Sequence, residues 1–364
     1  MRLGLQLGYW GASPPVDAAD LVAEADRLGF DSVWTAEAYG SDALSPLAWW
    51  GSRTSRVRLG TALCQLSARA PTATAMAALT MDHLSGGRFV LGLGVSGPQV
   101  VEGWYGQPFP RPLERAREYV SIVRKVLERE APVTNPGPHY PLPYPGGAGL
   151  GKPLRSVVHP LRADLPIVLG AEGPKNVALA AEVADGWLPL WFSPGHAEHF
   201  AAALGEGFSR PGARRSAAGF EVIASCPVVV DEDVERATDA VRPMVALYVG
   251  GMGARAENYH LDALVRMGFE APAREVQALY SSGHRREAVA AVPRSLVEEV
   301  ALVGPLEKIR DRLVAWQESI ATTLAISPGV PMAYSTGSMG APGGRRGNAL
   351  SRVETLRAMA ELML

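Results

Sequence analysis

The stretch "VLGAEGPKNVALAAEVADGWLP", Val168 to Pro189, contains one whole unit of a repeating plan. An apolar run stops at Gly170. An acid, a Gly-Pro pair, a lysine and an asparagine follow, then an alanine-rich helical pattern, then a second apolar run from Gly186. Pro174 suits the first turn of a helix, where its missing N–H costs nothing. Strand, helix and strand joined by short turns are the building unit of a parallel sheet.

The same rhythm extends in both directions. Strand-like runs occur at Leu3–Tyr9, Asp31–Ala36, Val57–Leu63, Arg88–Gly94, Pro166–Gly170, Gly186–Phe192, Phe220–Val230 and Thr322–Ser327. Helical patterns lie between them; the first has Asp17 as its expected N-cap and Gly29 as its stop. Eight alternating units predict an α/β fold, a closed (β/α)8 TIM barrel as a single domain over 1–364. A doubly wound open sheet is the competing arrangement.

Two insertions break the rhythm, at about 131–163 and 241–297. Ala131–Ser156 is crowded with proline and glycine, which excludes a regular helix or a central strand. It follows a helix, so simple topology puts it away from the catalytic face. The second insertion is helical and follows a strand, so it is expected on the face where barrel enzymes keep their active sites.

Bulk properties narrow the function. Hydrophobic residues make up 47% and charged residues 20%, enough for a large core. The formal net charge of −2 argues against a nucleic-acid binder relying on a basic field. Two cysteines far apart form neither a disulfide framework nor a zinc cluster, and no histidine pair has the spacing of a metal site. Buried free thiols are expected. The chain enters a strand-like run at once and has no apolar stretch long enough to span a membrane. A cytoplasmic protein acting on a small molecule is expected.

Candidate chemistry sits just after the strands. Glu37, Tyr39 and Asp42 follow the second, as helix-entry caps or as pocket groups. Cys64 and Gln65 end the third, with a core thiol the plainer reading. Gly92, Gly94 and Gly97 after the fourth let the backbone approach a flat or anionic group, and Ser96 is a cap or a ligand donor. The fifth ends in the opening stretch. Its helix start exposes amides and the positive end of the helix dipole, as a phosphate site does; Lys175 adds charge and Glu172 opposes it. An ordinary capped turn is the alternative.

Four segments together resemble the bacterial-luciferase-like family of barrels, within it the branch that uses the deazaflavin coenzyme F420 and includes methylenetetrahydromethanopterin reductases. They are "GFDSVWTAEAYGSDA" (29–43), "DHLSGGRFVLGLGVSGP" (82–98), "LGAEGPKNVALAAEVADGW" (169–187) and "GPLEKIRDRL" (304–313). The resemblance implies that Gly170, Ala171, Glu172, Gly173, Pro174, Lys175 and Asn176 hold the coenzyme phosphate. It implies that Glu37, Cys64, Gln65, Val95, Ser96 and Gly97 pack on the ring, with a non-prolyl cis peptide expected at Cys64–Gln65. Some relatives carry Asp-His where this chain has Glu37-Ala38, and some an acid where it has Pro98. Both losses remove a base, which favours a reductase over a dehydrogenase.

On this reading the coenzyme transfers a hydride, and Glu37, then Tyr39 and Glu102, are the candidate proton donors. Burial beside a ring would raise a carboxyl pKa, as a general acid requires. Trp10 and Trp104 are candidate substrate contacts. A homodimer through the second helix, with Trp49 and Trp50, is expected from the resemblance. An FMN-dependent monooxygenase with FMN in place of F420, and a cofactor-free binding protein on the same barrel, are the rivals.

Overall fold

The structure, a computed structural model, describes residues 1–253, 258–329 and 349–364. Ten strands run parallel in one sheet: β1 (Arg2–Gly8), β2 (Ser32–Thr35), β3 (Arg58–Thr61), β4 (Cys64–Gln65), β5 (Phe89–Gly94), β6 (Ile167–Gly170), β7 (Gly186–Leu188), β8 (Glu221–Val230), β9 (Leu302–Gly304) and β10 (Thr323–Pro328). The order is β10-β1-β2-β3-β5-β6-β7-β8, and β10 pairs back onto β8, closing an eight-stranded (β/α)8 barrel. All eight strand-like runs become its staves. Two short strands are additions: β4 resumes the line of β3 beside β5, and β9 lies along the upper half of β8.

The first half of the chain supplies α1 (Ala18–Leu28), α2 (Leu44–Gly51), α3 (Pro71–Ser85), α4 (Pro98–Gly103) and α5 (Pro112–Glu128). The second half supplies α6 (Pro174–Val183), α7 (Ala197–Phe208), α8 (Val234–Gly250), α9 (Tyr259–Arg266), α10 (Glu270–Ser281), α11 (Arg285–Ala290), α12 (Arg294–Val300), α13 (Leu306–Glu318) and α14 (Arg352–Met363). Gly29 stops α1 in the left-handed region, φ 89°, its amide returning to the Ala25 carbonyl. Asp17, expected to cap α1, makes no cap bond. Its carboxylate instead takes Nη1 of Arg352 at 2.8 Å, tying α14 to α1.

Side chains of period two divide the strands into an inside and an outside. Outward residues pack with the helices in one large core. Inward residues Trp34, Ala62, Val90, Val168, Leu188, Ile223 and Ala325 fill the barrel. Trp34 occupies so much of that space that any Cβ at Gly60 would overlap its ring. Gly92, Gly94 and Gly97 stand at the G-x-G-x-x-G spacing of a dinucleotide turn, but the barrel uses the first two differently. A Cβ at Gly92 would overlap the Thr61 carbonyl, and one at Gly94 would lie 2.8 Å from Leu63 Cδ1.

Residues 131–163 hold no helix and two isolated antiparallel bridges, Val133 to Leu154 and Asn135 to Leu142. They wrap the flank of α3 and α5, where Arg162 pairs with Asp82 and Glu118 accepts from the Tyr140 amide. In 241–297, helices from α8 to α12 pack around their own apolar core, including Val245, Leu264, Val276 and Val297. Residues 254–257 of that insertion lie outside the described residues.

Trp49 is 69% exposed on α2, but Trp50 is not on the same exposed flank. It is buried with its ring centroid 6.2 Å from that of Trp10, because α2 turns that side toward β3.

Candidate functional site

The C-terminal ends of the strands open into a cavity of 730 Å³, within the range of small-molecule sites. The described residues include no metal-binding group of His, Cys, Asp or Glu, and no helix long and apolar enough to cross a membrane. Both cysteines are free and buried.

One wall comes from β2 to β6. Between Thr61 and Cys64 the chain leaves the sheet, and the Ala62–Leu63 peptide is cis. The cis bond expected at Cys64–Gln65 is therefore two residues too late. Those two residues pair with Leu93 and Gly94 of β5, a register that requires ordinary extended backbone. Leu63 lies over the backbones of β5 and β6, close enough that a Cβ at Gly170 would overlap it. Alternation then sends Cys64 outward into the core and Gln65 into the cavity. Burial pushes the Cys64 thiol up to about 12, so it is no nucleophile.

Gln65 is 5% exposed, and its side chain is oriented by the backbone. Its Nε2 donates to the carbonyls of Glu37 at 3.1 Å and Ala38 at 3.0 Å. That leaves its buried Oε1 in the cavity wall with no partner among the described residues. Glu37 also lines the cavity, but every neighbour in hydrogen-bond reach is a donor. It accepts from Arg69 Nη1 at 2.7 Å, Arg69 Nη2 at 3.0 Å, the Gln65 amide at 2.8 Å and the Ala43 amide at 3.1 Å. The carboxylate ties three chain segments together.

The β6–α6 turn forms the next corner. Gly173 begins the helix in extended conformation, Pro174 has no N–H, and the amides of Asn176 and Val177 return to the Gly173 carbonyl. The Gly173 and Lys175 amides have no intrahelical acceptor. All seven residues from Gly170 to Asn176 line the cavity. Glu172 turns from the helix start to accept from the Leu190 amide at 2.7 Å. Burial pushes its carboxyl up to about 8, only partly offset by the Leu190 and Trp191 amides and the Arg266 charge. Near neutral pH that carboxyl carries a proton, so it does not oppose an anion.

Val95, Ser96, Gly97 and Tyr39 also line the cavity; Ser96 sits at φ 60°, in a left-handed turn leaving β5. Cys64, Glu102, Trp10 and Trp104 do not line it. Glu102 and Trp104 stand on the outer side of α4, where Trp104 is 65% exposed, and Trp10 turns onto Trp50. Reading beyond strand ends missed Gln6, Ser225, Met244, Tyr248, His260 and Arg352, all of which line the cavity. Gln6 and Ser225 carried a legible signal, a polar residue at an inward position of an apolar run.

A parallel barrel with a polar-edged cavity at its C-terminal mouth, opening onto a bare helix start, defines a small-molecule enzyme of the TIM-barrel class. The sequence profile described as luciferase-like monooxygenase matches residues 5–323, and the chain belongs to that family. It is 57% identical over 331 residues to a Mycobacterium tuberculosis protein named "putative coenzyme F420-dependent oxidoreductase", covering 90% of this chain and 95% of that one. Among solved structures, the coenzyme F420-dependent tetrahydromethanopterin reductase of Methanopyrus kandleri superposes with a TM-score of 0.75 at 20% identity, over 99% of this chain and 98% of the other. The oxygenating constituent of 3,6-diketocamphane monooxygenase of Pseudomonas putida, in complex with FMN, gives 0.62 at 17% identity, over 90% and 92%.

Proposed function

We propose that the protein is an F420-dependent oxidoreductase, acting as a reductase of an activated C=C, C=N or C=O bond in a small molecule. The observation that carries this is a pair of features on one cavity: the amide-lined start of α6, and the backbone-oriented, unpartnered Oε1 of Gln65. A deazaflavin coenzyme offers a phosphate for the first and a ring N–H for the second, so the residues fit the group. The 57% identical relative supports the same coenzyme.

When bound, the coenzyme supplies a hydride donor. The chain supplies placement and electrostatics. Gly173 and Lys175 bind the phosphate through their amides, and the Lys175 ammonium adds charge at the positive end of the helix. Leu63 and Val95 give the ring an apolar bed that excludes water. Glu37, held by Arg69, positions Gln65 and does not move a proton. The protonated carboxyl of Glu172 and the phenol of Tyr39 are the proton sources on the cavity wall. Ala38 and Pro98 stand where an alcohol oxidation would want a base, which supports the reductive direction.

FMN also carries a phosphate and a ring N–H, and an FMN complex shares this barrel. Separate fluorescence titrations of the purified protein with F420 and with FMN decide between them. F420 is expected to bind in the micromolar range or tighter, and FMN at least about tenfold more weakly, a gap of about 1.4 kcal/mol. The reverse order assigns the protein to the FMN monooxygenases. Binding of neither leaves a barrel without redox chemistry.

A further inference from the structure

The opposite wall of the mouth, made by β8, β10 and β1, has a different character. Ser225 lies two residues beyond Ile223, an inward residue of the barrel interior, and shares that parity. It is 7% exposed, and its buried Oγ has no partner among the described residues. In register, Ser225 stands beside Ala325, which stands beside Gly4. One level higher, Gln6 follows the Leu5–Ile326 pair on β1, and Ser327 follows it on β10. The Oε1 of Gln6 is also buried and unpartnered. Three adjacent strands thus present a polar corner with unused hydrogen-bonding capacity. Such atoms inside a protein are rare unless a ligand or water meets them.

The helical insertion contributes Met244, Tyr248, Met252 and His260 to the same cavity. The imidazole of His260 meets Tyr248 edge-on, ring centroids 4.9 Å apart, and its buried Nδ1 has no partner. Burial lowers its pKa to about 4, so the ring is uncharged at neutral pH. Arg352 is the charged side chain described on this wall, and it is committed: Nη1 to Asp17 at 2.8 Å and Nε to the Pro328 carbonyl at 3.0 Å. A carboxylate or phosphate buried against this wall would meet no described cation on the wall itself but Arg352, whose Nη1 and Nε are already engaged. A pure hydrocarbon would leave Ser225 and Gln6 stranded. An uncharged molecule with a carbonyl meets Ser225 Oγ without a counter-charge, and Gln6 Oε1, an acceptor, is left for an N–H or O–H on the ligand.

We propose that the β8–β10–β1 wall is the substrate subsite, built for an uncharged conjugated carbonyl compound of one or two rings, whose oxygen accepts a hydrogen bond from Ser225 Oγ. Gln6 Oε1 would accept from a donor group on such a compound, and the methionines and Tyr248 line the same cavity. The assignment rests on the proposed function for its place opposite the coenzyme wall, but not for its chemistry. A cavity of 730 Å³ has room for both rings, being in the upper part of the range of about 300–1,000 Å³ for such sites.

The test uses the full-length protein and two probes, chromone and chromone-2-carboxylate, titrated calorimetrically with and without saturating F420. Chromone is expected to bind in both conditions, and the carboxylate at least about tenfold more weakly. Ser225→Ala should weaken chromone about fivefold, the loss of one neutral hydrogen bond, while Ser225→Thr, which keeps the hydroxyl, stays within about twofold. Equal affinity of the Ala variant, preference for the carboxylate, displacement of chromone by F420, or no chromone binding would overturn the subsite. If F420 itself does not bind while the Ser225 dependence holds, the coenzyme reading falls and the subsite stands. If F420 binds and Ser225 does not matter, the subsite falls alone.

Discussion

The two ends of the barrel are built from the same strands and treat polar atoms in opposite ways. At the N-terminal end the buried acids are answered by arginines. Arg58 reaches Glu221 at 2.7 and 3.0 Å and also pairs with Asp31; Arg2 and Thr323 hold Glu221 at 2.8 and 2.9 Å. Burial would raise the Glu221 carboxyl, but the Arg58 bonds and charge outweigh it and hold it below the ordinary range. Asp185 is likewise held down against its burial by Arg124, with Arg214 and Arg215 each at 2.8 Å. Four residues along β8 from Glu221, Ser225 has a buried hydroxyl with no partner among the described residues. On β1, Arg2 is paired and Gln6 Oε1 is not. The acids at one end are paired with arginines; at the other, two buried side-chain oxygens, on β8 and β1, have no partner among the described residues.

Three measurements would break or sharpen that contrast. The largest effect belongs to Arg58→Met. It leaves Glu221 with Arg2 and Thr323 and Asp31 with Arg2 at 3.7 Å, and losing its charged hydrogen bonds should cost about 1.5–3 kcal/mol in denaturant unfolding, with F420 affinity unchanged. A loss below about 1 kcal/mol, the size of an exposed pair, would erase the contrast.

Next comes the acid limb at the mouth. Glu172 has its folded pKa raised to about 8, above an unfolded value of about 4.3. Between those values the folded state binds more protons than the unfolded chain, so stability falls as pH rises, then levels off above about 8. Glu172→Gln removes this term. Unfolding from pH 5 to pH 8 should therefore show wild type losing ground to the variant; parallel curves would mean the carboxyl is ordinary. The N-terminal acids have the opposite sign. Their pKa values are depressed, so their contribution is present above about pH 4 and drains away as pH falls through their folded values.

The smallest effect is Ser225→Ala. Because its Oγ bonds to nothing described, the ligand-free variant should match wild type or gain up to about 1 kcal/mol in unfolding. A clear loss would reveal a structural partner for the hydroxyl.

The barrel was legible because alternation of strand and helix is a local pattern repeated eight times. The cavity corner at the start of α6 was legible for a related reason: Gly170 to Asn176 is one continuous turn. The other wall was not. Residues just past strand ends include Trp10, Glu102 and Trp104, which do not line the cavity. Gln6 and Ser225 lie within strands, and only the period-two parity of their neighbours points them inward. The cis peptide was placed two residues late because nothing in "GTALCQ" marks where β3 stops and β4 resumes; that boundary is set by pairing with β5. β9 is three residues long, too short for any periodicity to declare it.

Local order in the chain, with its periods of two and 3.6, therefore determined the barrel, its helices and the bare start of α6 by itself. Only the folded molecule decided which polar atoms find partners. Partnership is a matter of distance between segments far apart in sequence, Glu37 with Arg69, Glu221 with Arg58, and Ser225 with none of the described residues. No window of residues contains that information.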